Sequence, residues 1–209
     1  MEIIMLAAPD ASDQLTGVWQ IDPVHSQVGF TVRHLVIRMR GGFTRFPGTN
    51  TVGNEPARSS VRAEIDCTLV DTRNAERDKH IRAADFLDSD THPTASFQSS
   101  RIRTKDGRHI IEGHLTLRGQ MCSVDFDLFV LGVDTDVTGR TQAGFGAFSW
   151  ISRSQLGVTG DVPLTGGRAL IGDTVMVKLE IEAVQGCWHQ RGTVNPLGRE
   201  GLLHAVCDS

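Results

Sequence analysis

Three groupings in this chain bring together residue types that do chemistry. Asp22, His25 and Ser26 supply the acid, base and nucleophile types of a hydrolytic triad within a short stretch. Adjacent residues on a strand point to opposite faces, so Ser26 and His25 cannot readily meet as nucleophile and base. The sequence also holds no Gly-x-Ser-x-Gly elbow. Hydrolysis is therefore not expected, and Asp22-Pro23 reads as shaping the entry to the following strand. From Asp71 to Asp88 an irregular polar stretch carries Arg77, Asp78, His80, Arg82 and Asp85. An arginine there could meet a phosphate headgroup in bidentate geometry, with His80 beside it. The simpler reading is a salt-bridge and capping network that holds the connection in place. Cys187, His189, His204 and Cys207 offer zinc-ligand types, but their spacing is irregular and no metal or cofactor is expected. The cysteines, Cys67 and Cys122 included, form no C-x-x-C pair and read as structural thiols suited to a reducing compartment.

The elements that must position these residues are strands. Val28, Phe30 and Val32 alternate with Gly29, Thr31 and Arg33, a period of two that puts one face in a core and the other in water. The same pattern runs through Val61 to Leu69, Ile111 to Leu117, Val124 to Val130 and Val175 to Ala183. Runs near 17–22, 26–37, 43–52, 60–70, 95–104, 110–118, 121–131, 141–150 and 173–184 give eight or nine strands. Asp106-Gly107 and Arg118-Gly119 read as hairpin turns, and Gly166-Gly167 as a loop before the last strand. One short, broken helical connection is expected over Ala75 to Asp88, followed by Pro93. Parallel strands would need intervening helices for which the chain has no room. The fold class is thus all-β, a single antiparallel closed barrel of about eight strands.

Composition narrows the partners. The 21 basic and 25 acidic residues are interspersed and sum to −4, with no basic cluster fit to track a phosphate backbone, so nucleic acid is not expected. No stretch approaches the roughly 20 apolar residues of a membrane span. The apolar run Ile3 to Ala8 is shorter than the roughly 7–15 residues of a secretory leader's core, and Glu2 stands where a basic residue is usual. A cytoplasmic location is expected.

Particular residues then carry a resemblance. Trp19-Gln20-Ile21-Asp22-Pro23-Val24-His25-Ser26, with Val28, Phe30 and His34-Leu35, resembles the opening of the YceI family, lipocalin-like polyisoprenoid-binding proteins. Further similarity follows in order at Gly42-Phe43, Phe46, Gly48, Asp71-Thr72, Arg77-Asp78, His80, Asp85-Phe86, His92-Pro93 and Phe97. It continues at Gly113, Leu115-Thr116, Arg118-Gly119, Ile151, Arg153, Gly157 and Asp173-Thr174-Val175. The chain departs from the pattern at Leu156, where an aromatic residue commonly precedes the glycine. The likeness sets the domain at 16–184, with an N-terminal extension over 1–15 and a loosely ordered tail over 185–209.

The resemblance implies a lipocalin-like barrel that binds, stores or transports a long-chain isoprenoid or fatty-chain lipid without catalysis. Its expected lining is Phe30, Phe43, Phe46, Phe86, Phe97, Leu115, Leu117, Phe126, Leu128 and Phe145. His34 shares the parity of Phe30 and Val32 and is a candidate polar anchor, or a histidine satisfied by a backbone carbonyl. The competing expectation is an interaction protein, its barrel filled by its own side chains, that acts through its exterior or as a homodimer.

Overall fold

Alternating sequence becomes antiparallel strand, except at Cys67–Leu69, which form a 3-10 turn. The computed structural model describes residues 15–161 and 169–186. Its elements are β1 (Gly17–Ile21), β2 (Gln27–His34), β3 (Ile37–Phe43), β4 (Gly48–Val52), β5 (Ser60–Asp66), β6 (Val70–Asp71), α1 (Ala75–Arg82), β7 (Thr94–Lys105), β8 (Arg108–Leu117), β9 (Gln120–Thr135), β10 (Thr141–Ser152) and β11 (Ile171–Gln185).

One sheet holds every strand, and pairing of β1 with β11 closes it into a barrel. β1 and β2 lie end to end along β11, with Ile21 opposite Ala183 and Gln27 opposite Glu180. β4 pairs with β1 and β3 with β2 in the same way, while β5 and β6 continue the next stave beside β4 and β3. The ring therefore has eight staves, three of them broken into two strands, as the alternation leads one to expect.

Three runs read as single strands divide. The run 26–37 turns back at Leu35, which adopts φ 54°, and the run 43–52 stops at Phe43 and resumes at Gly48. In the run 60–70 the 3-10 turn over Cys67–Leu69 separates β5 from β6. The first break carries no glycine, proline or asparagine, so turn chemistry gives no warning of it. By contrast Asp106-Gly107 (φ 50° and 75°) and Arg118-Gly119 (φ 53° and 70°) form the tight two-residue hairpins their composition suggests. Gly166-Gly167, Cys187, His189, His204 and Cys207 lie outside the described residues.

The jog between β1 and β2 uses the Asp22–Ser26 motif. Asp22 accepts from the Val24 amide at 2.8 Å and its own amide donates to the Glu182 carbonyl at 2.8 Å. The Ser26 hydroxyl donates to that carbonyl at 3.1 Å and accepts from the Glu182 amide at 3.0 Å. Both half-strands are thereby pinned to β11 across a break in the ladder. α1 is eight residues long, capped by the Asn74 side chain on the Arg77 amide at 2.9 Å, with Glu76 and Asp78 in its first turn.

Candidate functional site

The inward side chains do not meet across the barrel. They enclose a cavity of about 900 Å³ whose walls are almost wholly aliphatic and aromatic, within the range of small-molecule sites. β7, β8 and β9 present Phe97, Leu115, Leu117, Phe126 and Leu128, and β10 presents Phe145. Phe30 and Phe43, on β2 and β3, lie with ring centroids 5.8 Å apart, and Phe46 is buried just beyond them. Phe97 and Phe126 meet edge to face at 5.3 Å. Two of these rings need a glycine behind them. A Cβ on Gly113 would stand 2.5 Å from Phe97 Cζ, and one on Gly41 would stand 2.5 Å from Phe30 Cζ.

Sequence reasoning missed the opposite wall, formed by Ile151, Val175, Val177, Leu179 and Ile181. The alternation of β11 made these residues legible as apolar. Only closure of the sheet shows that they face the same lumen as Phe97.

The two ends of the cavity differ. Among the described residues one is open, bordered by the exposed Thr51, Asn54, Pro56, Gly107, Arg108 and Leu131. Leu131 keeps the outward parity of Asp127 and Phe129, and the bulge in β9 that follows, where Gly144 faces Gly132 but Phe145 faces Val130, returns Val133 to the inner face against Ala143 and Phe145. The other end is closed by Ile81, Phe86, Leu87, Leu156 and Val158. Leu156 is fully buried in this floor.

Two arginines lock the floor; sequence reasoning read Arg118 as a hairpin residue and Arg153 only as part of the resemblance. Arg153 donates to the carbonyls of Gly172 (3.0 Å), Val158 (2.8 Å), Gly160 (2.8 Å) and Ile171 (3.3 Å), with Asp161 at 3.9 Å. Arg118 donates to the carbonyls of Ala84 and Phe86. These guanidiniums are committed to the backbone.

The polar Asp71–Asp88 stretch is the capping network rather than a headgroup site at the mouth. Buried Asp78 accepts from the amide and hydroxyl of Thr72 at 2.8 and 2.5 Å, and Arg77 donates to the Thr72 hydroxyl and carbonyl. His80 points outward, 3.4 Å from Asp85 and edge-on to Phe86, and does not line the cavity. His34 is likewise exposed and outside the lining. Its parity is inward, but β2 has run past the barrel rim by that point. These two polar candidates are thus displaced from the lumen, while the ten apolar ones line it.

Ser26, His25 and Asp22 form no triad. The Ser26 hydroxyl is held by the Glu182 backbone, while His25 Nδ1 lies 3.0 Å from Asp22 and 3.7 Å from Glu182 on the outer surface. That hydrogen bond, with the charges of Asp22 and Glu182, raises the imidazole above its ordinary pKa. Partial burial pushes Asp22 up, but the bonds from His25 and Val24 outweigh it and hold the carboxyl below its usual range. The ligand atoms of Asp22, His25 and Glu182 lie within 4.8 Å of one another, the one such group of three that could hold a metal ion among the described residues. Cys67 and Cys122 are free thiols. Burial drives Cys67 up to about 11, so it stays a protonated, unreactive thiol at neutral pH.

Among the described residues no helix is long and apolar enough to cross a membrane. The YceI-like domain model matches residues 19–183. Protein YceI of Escherichia coli O157:H7 is 38% identical over 141 residues, 66% of this chain and 73% of that protein. A UPF0312 protein of Pectobacterium atrosepticum is 34% identical over 140 residues, with the same coverage. Among solved structures, BcnA of Burkholderia cenocepacia superposes with a TM-score of 0.66 at 21% identity, covering 78% of this chain and 98% of that one. A polyisoprenoid binding domain from Saccharophagus degradans gives 0.60 at 13% identity, covering 80% and 98%. The structural likenesses show a shared barrel; the family model and the sequence identities show that this chain belongs to the YceI-like family.

Proposed function

We propose that the barrel is a non-catalytic binding protein that holds a long apolar chain, an isoprenoid or fatty-chain lipid, in its lumen. The observation that carries the reading is the cavity itself, about 900 Å³ and lined mainly by aliphatic and aromatic side chains, with Asn50, Ser60 and His109 among the few polar ones. At about 30 Å³ per water-sized unit, it accommodates roughly 30 methylene-sized groups. Burying ten of them contributes about 8 kcal/mol, already equivalent to micromolar affinity before ordering costs. No charge is required, which agrees with the commitment of Arg118 and Arg153 to backbone carbonyls. The open rim suits a polar head in water, with the tail directed toward Phe86 and Leu156.

Family membership and the polyisoprenoid-binding structural relative support the same reading. The free thiols of Cys67 and Cys122 support a reducing compartment such as the cytoplasm. Titration of delipidated protein with geranylgeraniol and with oleate, followed by calorimetry, tests the proposal. Saturable binding with a negative heat-capacity change supports it. No heat with either probe sinks it in favour of a protein that works through its exterior.

A further inference from the structure

Among the described residues, the most exposed apolar run has no place in the ligand reading. At the tip joining β2 to β3, Leu35, Val36 and Ile37 are 44%, 87% and 63% exposed. Three consecutive exposed aliphatic residues are a fault in a soluble surface unless they serve a function. Leu35 also adopts a left-handed φ of 54°, a conformation in which a bulky aliphatic residue is disfavoured. The hairpin projects as well. β3 pairs with β6 only at Gly42 and Phe43, leaving Ile37 to Gly41 unpaired on that side among the described residues.

The surroundings indicate what the tip meets. Val36 and Ile37 share a surface groove with Arg33, Arg38 and Trp150, whose indole is 59% exposed. Arg40 is exposed on the same strand. The carboxylate in the groove, Asp173, is held by the Ser152 hydroxyl at 2.6 Å and the Ser154 amide at 3.0 Å. Aliphatic residues at a tip, an indole beside them and arginines around them match the layered chemistry of a bilayer interface: hydrocarbon, headgroup level and anionic surface.

Arg33 is spent inside the turn, donating to the carbonyls of Leu35 at 3.0 Å and Ala169 at 3.3 Å, which leaves Arg38 and Arg40 to meet headgroups. We infer that the Leu35–Ile37 tip, with Trp150, Arg38 and Arg40, docks the protein on an anionic lipid surface. The inference does not rest on the cavity reading. The tip lies at the closed end of the barrel, opposite the rim formed by Asn54 and Arg108, so docking leaves the open end facing away from the bilayer. The tip therefore recruits the protein to a membrane rather than inserting the mouth into it.

The test is sedimentation of the full chain with vesicles of phosphatidylcholine alone or mixed with phosphatidylglycerol, together with tryptophan emission. The expected result is association with the mixed vesicles, a blue shift that Trp150→Phe removes, and weakening as salt rises. Val36→Asp with Ile37→Asp should abolish association, and Arg38→Glu should lower it by at least about fivefold, the equivalent of one lost surface cation. These positions are exposed, and circular dichroism checks that each variant folds. Equal association with both vesicle types, or association unchanged by the paired aspartates, overturns the inference. So does a vesicle-free dimer that the aspartates dissociate, which would assign the tip to a second copy of the chain.

Discussion

Replacing Val177 by phenylalanine separates a hollow barrel from a filled one by the sign of a stability change. Val177 sits midway along β11, opposite Phe30 and Ser149, and its half-buried side chain borders the cavity. The substitution adds about four carbon atoms, worth roughly 3 kcal/mol at full burial. A compact unfolded state and lost rotamer freedom reduce this to a net gain of about 1 kcal/mol. For a chain of this size the expected rise in Tm is about 2–4 °C. In a lumen packed by its own side chains the same ring would be an overpacking substitution costing about 1–3 kcal/mol. Thermal unfolding of delipidated Val177→Phe reads the sign directly. The variant should also lose affinity for the longest chains first, since the ring takes the place of about four of the roughly 30 units the cavity holds. A fall in Tm with binding of long chains unchanged would refute the hollow-barrel reasoning.

Four further outcomes follow from individual contacts. Arg153→Ala strips the carbonyls of Val158, Gly160, Ile171 and Gly172 of a charged donor; it should cost about 3–5 kcal/mol, read as a Tm drop of about 10 °C or more. Gly113→Ala should cost about 1–3 kcal/mol, and Phe97→Leu should relieve only part of it, because the added Cβ also stands 2.6 Å from the Gln98 carbonyl. Peptide mapping after iodoacetamide at neutral pH should find Cys67 unmodified in the folded protein and modified after denaturation, since burial raises its thiol to about 11. His25 should titrate above an ordinary histidine by NMR and return toward that value in Asp22→Asn. A raised histidine pKa stabilises fully below the unfolded value and less as pH rises through the folded one. Depressed Asp22 acts oppositely, its contribution fading as pH falls through its folded value. The pair therefore works best between the two, and its loss should show on both flanks of the stability profile.

How much of this was legible in the sequence depended on the range of the physics involved. Strand parity is local, so the inward placement of Phe97, Leu115, Phe126 and Leu128 could be read from alternation, and the closed eight-stave barrel from the number of such runs. The hairpins at Asp106-Gly107 and Arg118-Gly119 were equally local. The turn at Leu35 was not, because its residues are those of a strand and the reversal is imposed by the ladder on either side. Parity alone also put His34 in the lumen, since it says which way a side chain points but not where the barrel wall ends. Val133 turned inward through a bulge, which needs knowledge of register against β10. Arg118 and Arg153 were invisible as the locks of the closed end: the carbonyls that Arg118 holds lie more than thirty residues away, and those of Arg153 come from both the loop that follows it and the start of β11, so no local pattern marks either. The lumen's existence was the least legible feature of all: inward apolar residues look alike whether they touch across a barrel or stop short.

The central claim is that this barrel is built around a long apolar molecule. The most direct measurement is to purify the protein without detergent, extract it with organic solvent and identify the released compounds by mass spectrometry. The account predicts one isoprenoid or fatty-chain compound in near-stoichiometric amount, and its loss from a variant whose lumen is blocked by Val177→Phe with Ala147→Phe. An extract empty of such compounds, from protein that also takes up none from polyprenyl and acyl mixtures, would contradict it.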